Sequence, residues 1–193
     1  MLLQDFIATF PVQERASSDA YTWIYRKVKE LKESLGRPPL CIEVGVYCGY
    51  TSIPAAMAGG RVICVDVFDA RDNWIREHAS HIGGRTLDRF LANLFNAGVS
   101  NRIATIVSES VVAAGLLPNE IADFIFIDAD HSYDSVMADL HAWTPKLRVG
   151  GTLAGHDYPQ RQVAEAVNQF CVSPNWAGVL TEVDCTWYTY RLV

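Results

Sequence analysis

The 193-residue chain has no Cys-x-x-Cys pair, no apolar run near membrane length and no excess of positive charge. Each shortage closes off a class of protein. Five cysteines (Cys41, Cys48, Cys64, Cys171 and Cys185) are an odd number without zinc-ribbon spacing. Neither a disulfide framework nor a zinc ribbon is expected, and the thiols read as reduced, small and mostly buried. The longest apolar stretches, such as Ile121 to Ile127, fall far short of the ~20 residues that a membrane helix needs. Residues Met1 to Pro11 include Asp5 and lack a basic start. No secretory signal is expected, and the cytoplasm is the expected compartment. Sixteen Lys and Arg against 22 Asp and Glu leave a net charge of −6, which argues against nucleic acid as the main partner.

What is present suits one folded domain spanning residues 1–193. Half the residues are hydrophobic and 20% are charged, a balance that supports a packed core rather than disorder. Helix and strand patterns alternate. Residues 18–35 place Ile24, Val28, Leu31 and Leu35 at helical spacing behind Ser17 or Ser18 as N-cap. Gly36-Arg37-Pro38-Pro39 ends that helix and closes an N-terminal helical cap over residues 1–38. Short apolar runs at Leu40–Val44, Arg61–Val67, Ile103–Val107, Ile121–Asp128 and Leu147–Gly155 read as strands. Helices are expected over Ser52–Met57, from Ser132 through Trp143, and over Gln160–Phe170. Gly178–Asp184 and Thr186–Leu192 read as a terminal hairpin. The implied fold is α/β: a doubly wound, mostly parallel sheet with a C-terminal antiparallel hairpin. Residues 68–84, with Trp74, His78 and His81, are too polar for core and read as a loop over the site.

Chemistry gathers where strands end, which is where such sheets bind ligands. In Glu43-Val44-Gly45-Val46-Tyr47-Cys48-Gly49-Tyr50-Thr51 an acid precedes a Gly-x-x-x-Gly turn. The glycines allow a tight turn and close approach of a ligand. The pattern is not G-x-G-x-x-G, and an acid there would repel a pyrophosphate but attract an ammonium. Asp66 ends the next strand, placed to accept hydrogen bonds from ribose hydroxyls. Asp128-Ala129-Asp130-His131-Ser132 leaves the most apolar strand, with Asp130 or Ser132 as a plain helix cap in the blander reading. Gly155-His156-Asp157-Tyr158 ends its neighbour. Asp128, His156 and Asp157 form a candidate divalent-metal set, with carboxylates favouring Mg²⁺ or Mn²⁺ and the imidazole shifting preference toward Mn²⁺, Fe²⁺ or Zn²⁺. His156 is read either as a ligand or as a residue behind one.

The first of these motifs resembles that of catechol O-methyltransferase-like enzymes, which are class I S-adenosylmethionine-dependent methyltransferases. The block from Phe124 to Tyr158 is more similar to their bacterial relatives, the macrolide-sugar O-methyltransferases and cephalosporin-hydroxylase-like proteins. The resemblance implies that Glu43 and Gly45 face the methionine part of S-adenosylmethionine with Tyr47 and Thr51 beside it, and that Gly49 is a further cofactor-binding position. It implies that Asp66 holds the ribose, that Ser108-Glu109-Ser110 lies along the adenine, and that Asp128 borders both cofactor and metal. His131 falls where relatives carry a general base. His156 stands in place of a metal-binding acid. The expected activity is metal-assisted methyl transfer to a hydroxyl of a small-molecule acceptor. Three other readings stay open: a cofactor-binding protein without methyl transfer, a metal-dependent hydrolase using Asp128, His156 and Asp157, and a nicotinamide oxidoreductase. The last lacks its glycine turn. Association with a second copy through an exposed segment, Leu2 to Phe10, is also left open.

Overall fold

The computed structural model describes residues 1–9, 18–69, 86–181, 183 and 185–193. Ser17, Phe10, Trp74, His78, His81 and most of the expected loop over 68–84 lie outside them. Among the described residues the sheet has seven strands: β1 (Leu40–Val44), β2 (Arg61–Asp66), β3 (Ile103–Val107), β4 (Ala122–Ile127), β5 (Leu147–Gly155), β6 (Leu180–Thr181) and β7 (Trp187–Tyr190). Their order is β3-β2-β1-β4-β5-β7-β6. The first five run parallel, whereas β7 is antiparallel to both β5 and β6. This is the doubly wound sheet and terminal hairpin that the residue pattern implies.

Every residue of β4 is buried, because helices cover both of its faces. Phe124 and Phe126 point to one side, where α2 (Ser18–Leu35), α3 (Ser52–Met57) and α4 (Thr86–Ala97) build one core. Ile125 and Ile127 point to the other, toward α5 (Ser110–Gly115), α6 (Tyr133–Trp143) and α7 (Arg161–Phe170). Among the described residues no helix is long and apolar enough to cross a membrane.

Three local expectations need correction. The N-terminal segment is not simply exposed: Leu3–Ile7 forms α1, whose Phe6 is 2% exposed and packs into the first core. An aromatic side chain placed beside an apolar cluster is buried by its own fold before any partner is needed. On α2, Tyr21 and Trp23 join Ile24 and Val28 in the buried stripe, whereas Leu35 at the last position is exposed. Residues 86–97 and 110–115, which the sequence reading leaves unassigned as helices, are α4 and α5.

The far end of the sheet is fastened by one acid. Asp123, 5% exposed, accepts two 2.8 Å bonds from Arg37, one from Arg148 and one from the Leu40 N–H. Burial would push its carboxyl up, but these donors hold it below its usual value. The strap joins the end of the α2–β1 loop to β4 and β5, away from the strand ends that carry the site.

Candidate active site

Strand order reverses between β1 and β4, since β2 and β3 lie on one side and β5 and β7 on the other. That switch point opens a crevice at the C-terminal strand ends. The chain leaves β1 through a turn with φ of +83° at Gly45, +51° at Tyr47 and +83° at Gly49. Gly45 is required by space as well as by conformation. A Cβ there would lie 2.0 Å from the Asp128 carbonyl oxygen, so the turn can pass the end of β4 only without a side chain. A Cβ at Gly49 would meet the Phe90 ring of α4 at 2.7 Å.

Asp66 organises this turn. Its Oδ2 accepts the Val46 and Tyr47 N–H groups at 2.7 and 2.9 Å, and its Oδ1 accepts the Phe68 N–H at 2.7 Å. A carboxylate has about four lone-pair sites, so little capacity remains, and it is aimed by the turn itself. Glu43 is 3% exposed and accepts a hydrogen bond from the Thr51 hydroxyl. Burial pushes its carboxyl up to about 8, helped by the charges of Asp128 and Asp66 and opposed by hydroxyl hydrogen bonds. It is therefore a neutral acid at pH 7 until a cation arrives beside it.

Ser108 is joined to this wall through its N–H, which donates to the Asp66 carbonyl at 3.1 Å. Glu109 occupies the N-cap position of α5 without a side-chain cap bond. Ser110 turns its hydroxyl away, toward Asp139 and Trp143 of α6. Of the three residues expected along the adenine, its side chain is committed elsewhere.

The second half of the crevice is an acid–imidazole cluster. Asp128 follows β4, its N–H donating to the Val44 carbonyl at 2.8 Å. His156 and Asp157 follow β5, the latter at φ +56°. His131 Nε2 lies 2.9 Å from Asp157 Oδ2 and 3.9 Å from Asp128 Oδ1. His156 Nδ1 lies 3.3 and 3.9 Å from the same two oxygens. One ligand atom from each of Asp128, His131 and Asp157 can be chosen so that all lie within 4.8 Å of one another. The buried His131 Nε2 has no partner in hydrogen-bond geometry among the described residues, despite the nearby carboxylate. The two carboxylates pair with a protonated His131, and the same two oxygens and one imidazole nitrogen are a donor set that could hold a divalent cation, the oxygens favouring Mg²⁺ or Mn²⁺ and the imidazole Mn²⁺, Fe²⁺ or Zn²⁺. Without a cation, Asp128 and Asp157 hold the His131 imidazolium up to about 10. Burial would raise the Asp157 carboxyl, but His131 and His156 hold it well below the usual range. Asp130 has a local task, since its Oδ1 accepts the Ser132 N–H at 2.7 Å just before α6.

Sequence reasoning missed the buttress behind the glycine turn. Asn93 of α4 donates to the Cys48 carbonyl at 3.0 Å, and Phe90 packs on Gly49 and stacks on Phe68. The signal was available: Leu87, Phe90, Leu94 and Ala97 recur at helical spacing.

Residues 42–158, more than half of the chain, match a family described as a methyltransferase domain. No curated protein matches the chain. Among solved structures, cofactor-bound Rv0187 from MTB aligns with a TM-score of 0.69 at 16% identity, over 95% of this chain and 81% of that one. A methyltransferase from Geobacter sulfurreducens aligns at 0.61 and 19%, over 88% and 78%. The O-methyltransferase TomG from Streptomyces achromogenes, solved with SAM, aligns at 0.61 and 16%, over 88% and 79%. At such identities the structural likeness is one of fold, and it agrees with the observed sheet order. The matched stretch runs from β1 to just beyond Asp157 and so includes the glycine turn, Asp66 and the acid–imidazole cluster. On these grounds the chain belongs to the methyltransferase domain family, built on a Rossmann-like methyltransferase fold.

Proposed function

We propose that this family member transfers a methyl group from S-adenosylmethionine to a hydroxyl of a small-molecule acceptor, with a divalent metal beside the reacting oxygen. One observation carries the reading: a glycine turn organised by an acid and an O,N,O cluster meet at the same switch point. TomG, an O-methyltransferase solved in complex with SAM, supports the choice of cofactor and acceptor atom.

When bound, the cofactor would supply a sulfonium methyl to an acceptor oxygen, with S-adenosylhomocysteine as the leaving group and the hydroxyl proton lost to water. Glu43 and the turn at Gly45 bind its charged amino-acid end, and the Glu43 carboxyl ionises to meet the ammonium. Asp66 accepts a ribose hydroxyl with the one lone pair that its three backbone donors leave free. The backbone of Ser108–Ser110 borders the adenine. Asp128, His131 and Asp157 would hold the metal, which lowers the pKa of an acceptor hydroxyl. In this reading His131 takes the ligand place assigned above to His156. That ligand role of His131 stands in place of the general-base role expected of it. Orienting oxygen, methyl and sulfur in line supplies the rest of the rate.

Calorimetric titration of S-adenosylhomocysteine, with and without Mn²⁺ and beside an NADH control, tests the pocket. Micromolar binding of the first and none of the second is expected. No binding in either metal condition would overturn the methyl-transfer reading. Mn²⁺ titration followed by electron paramagnetic resonance tests the metal separately. Asp128→Ala and Asp157→Ala should lose Mn²⁺ yet bind S-adenosylhomocysteine within about threefold of wild type, a difference under 1 kcal/mol.

A further inference from the structure

α5 is six residues long, contains Val111 and Val112, ends at Gly115 and has no side-chain N-cap bond. Such a segment cannot hold itself in water, since helices this short do not repay their nucleation. Only Ala113 and Ala114 are buried, while Val111, Val112 and Leu116 face outward. Yet its first residue closes the segment Ser108–Ser110, whose backbone is tied to Asp66 at the cofactor side of the crevice.

What holds that segment comes from α6. Trp143, fully buried, donates its Nε1–H to the Ser110 oxygen at 2.8 Å. Ser110 in turn donates to Asp139 Oδ1. The direction of the chain is forced. Indole nitrogen can only donate, so the single hydroxyl proton of Ser110 is left for the carboxylate. Asp139 is 4% exposed. A buried acid is costly unless its hydrogen bonds are made, so its presence needs an account. Neither the candidate metal cluster nor the glycine turn uses it.

We propose that Asp139 is a positioning residue: through Ser110 it fixes the start of α5 and so the Ser108–Ser110 wall against which the adenine of the cofactor packs. This rests on the cofactor reading above. Asp139 acts on the ligand only through Ser110, and Ser110 and the Trp143 that donates to it both lie on the α5–α6 side of the sheet. Burial pushes its carboxyl up to about 6, with Asp130 adding to the rise and Ser110 opposing it. The acceptor is thus ionised under ordinary assay conditions near pH 7.5.

The test is S-adenosylhomocysteine affinity by calorimetry at pH 7.5, well below each variant's melting temperature. Asp139→Ala should weaken binding at least fivefold. Asp139→Asn keeps an oxygen for Ser110 and should stay within twofold of wild type. Ser110→Ala removes the same bond from the other end and should match Asp139→Ala; it also carries the test should the latter not fold. Asp123→Asn, at the opposite end of the sheet, should lower the melting temperature yet leave the affinity within twofold, separating positioning from general stability. Asp139→Ala or Ser110→Ala binding like wild type, or Asp139→Asn as weak as Asp139→Ala, would overturn the proposal. A wild-type protein that does not bind S-adenosylhomocysteine would instead overturn the cofactor reading.

Discussion

Gly45 and Asp66 do one job from two strands. Gly45 lets the chain pass within contact of the Asp128 carbonyl, and Asp66 collects the N–H groups that the turn exposes. Gly45→Ala puts a methyl where the carbonyl stands and imposes positive φ on a residue with a Cβ. It should cost at least about 2 kcal/mol of stability and abolish cofactor binding, measured by thermal melting and calorimetry. Asp66→Ala leaves three backbone donors without their acceptor. Its expected effect is a loss of S-adenosylhomocysteine affinity of more than tenfold; binding like wild type would remove Asp66 from the site. The positions of both residues could be read in the sequence, because an acid at a strand end and a glycine at a turn are local signals. Asp66's grip on the turn could not, since its partners lie 19 and 20 residues away.

Elements succeed or fail as predictions according to how much of their character is local. The five parallel strands are apolar runs bounded by turn residues, a pattern local enough to be legible even at the sheet edge, where no residue of β3 is buried. α5 was not legible, because two adjacent valines are poor helix formers and the segment packs on α6 and β2, which are distant in sequence. The Asp123 strap is also an element-scale device, joining the start of β1 to β4 and β5. Removing one partner of a buried charged network usually costs about 3–5 kcal/mol. Asp123→Ala should therefore lower stability by roughly that amount in chemical denaturation, while Arg37→Ala, at an exposed guanidinium, should cost less. Equal losses would mean that Arg148 and the Leu40 N–H contribute little.

Over the whole molecule, buried acids set how stability varies with pH. Glu43 and Asp139 bind protons more tightly in the fold than in the unfolded chain. That contribution is complete at low pH and is lost as pH rises, from about 4 to about 6 at Asp139 and from about 4.5 to about 8 at Glu43. His131, held protonated by Asp128 and Asp157, adds to the same trend above pH 6.5. Asp123 acts oppositely, since its lowered carboxyl gives stability that is lost only as pH falls below the usual Asp value. The metal- and cofactor-free protein should thus melt at progressively lower temperature from pH 5 to pH 8. Glu43→Gln should gain on wild type across that window. A constant difference between the two would show that Glu43 ionises normally. The buried thiols add nothing in this range, because burial raises Cys41 and Cys64 far above it.

The amino-acid pattern alone determined the α/β class, the parallel strands, the terminal hairpin and the acids and glycines at the strand ends. These depend on periodicity and on turn chemistry within a few residues. Only the tertiary structure decided which of those side chains meet. Strand order brought Asp128 and Asp157 together across β4 and β5, and the loop after β4 then set His131 between the two carboxylates. The same packing turned Ser110 from the crevice toward Asp139 and buried Phe6 within its own chain. A side chain's direction is set by neighbours distant in sequence, and spacing along one chain carries no information about them.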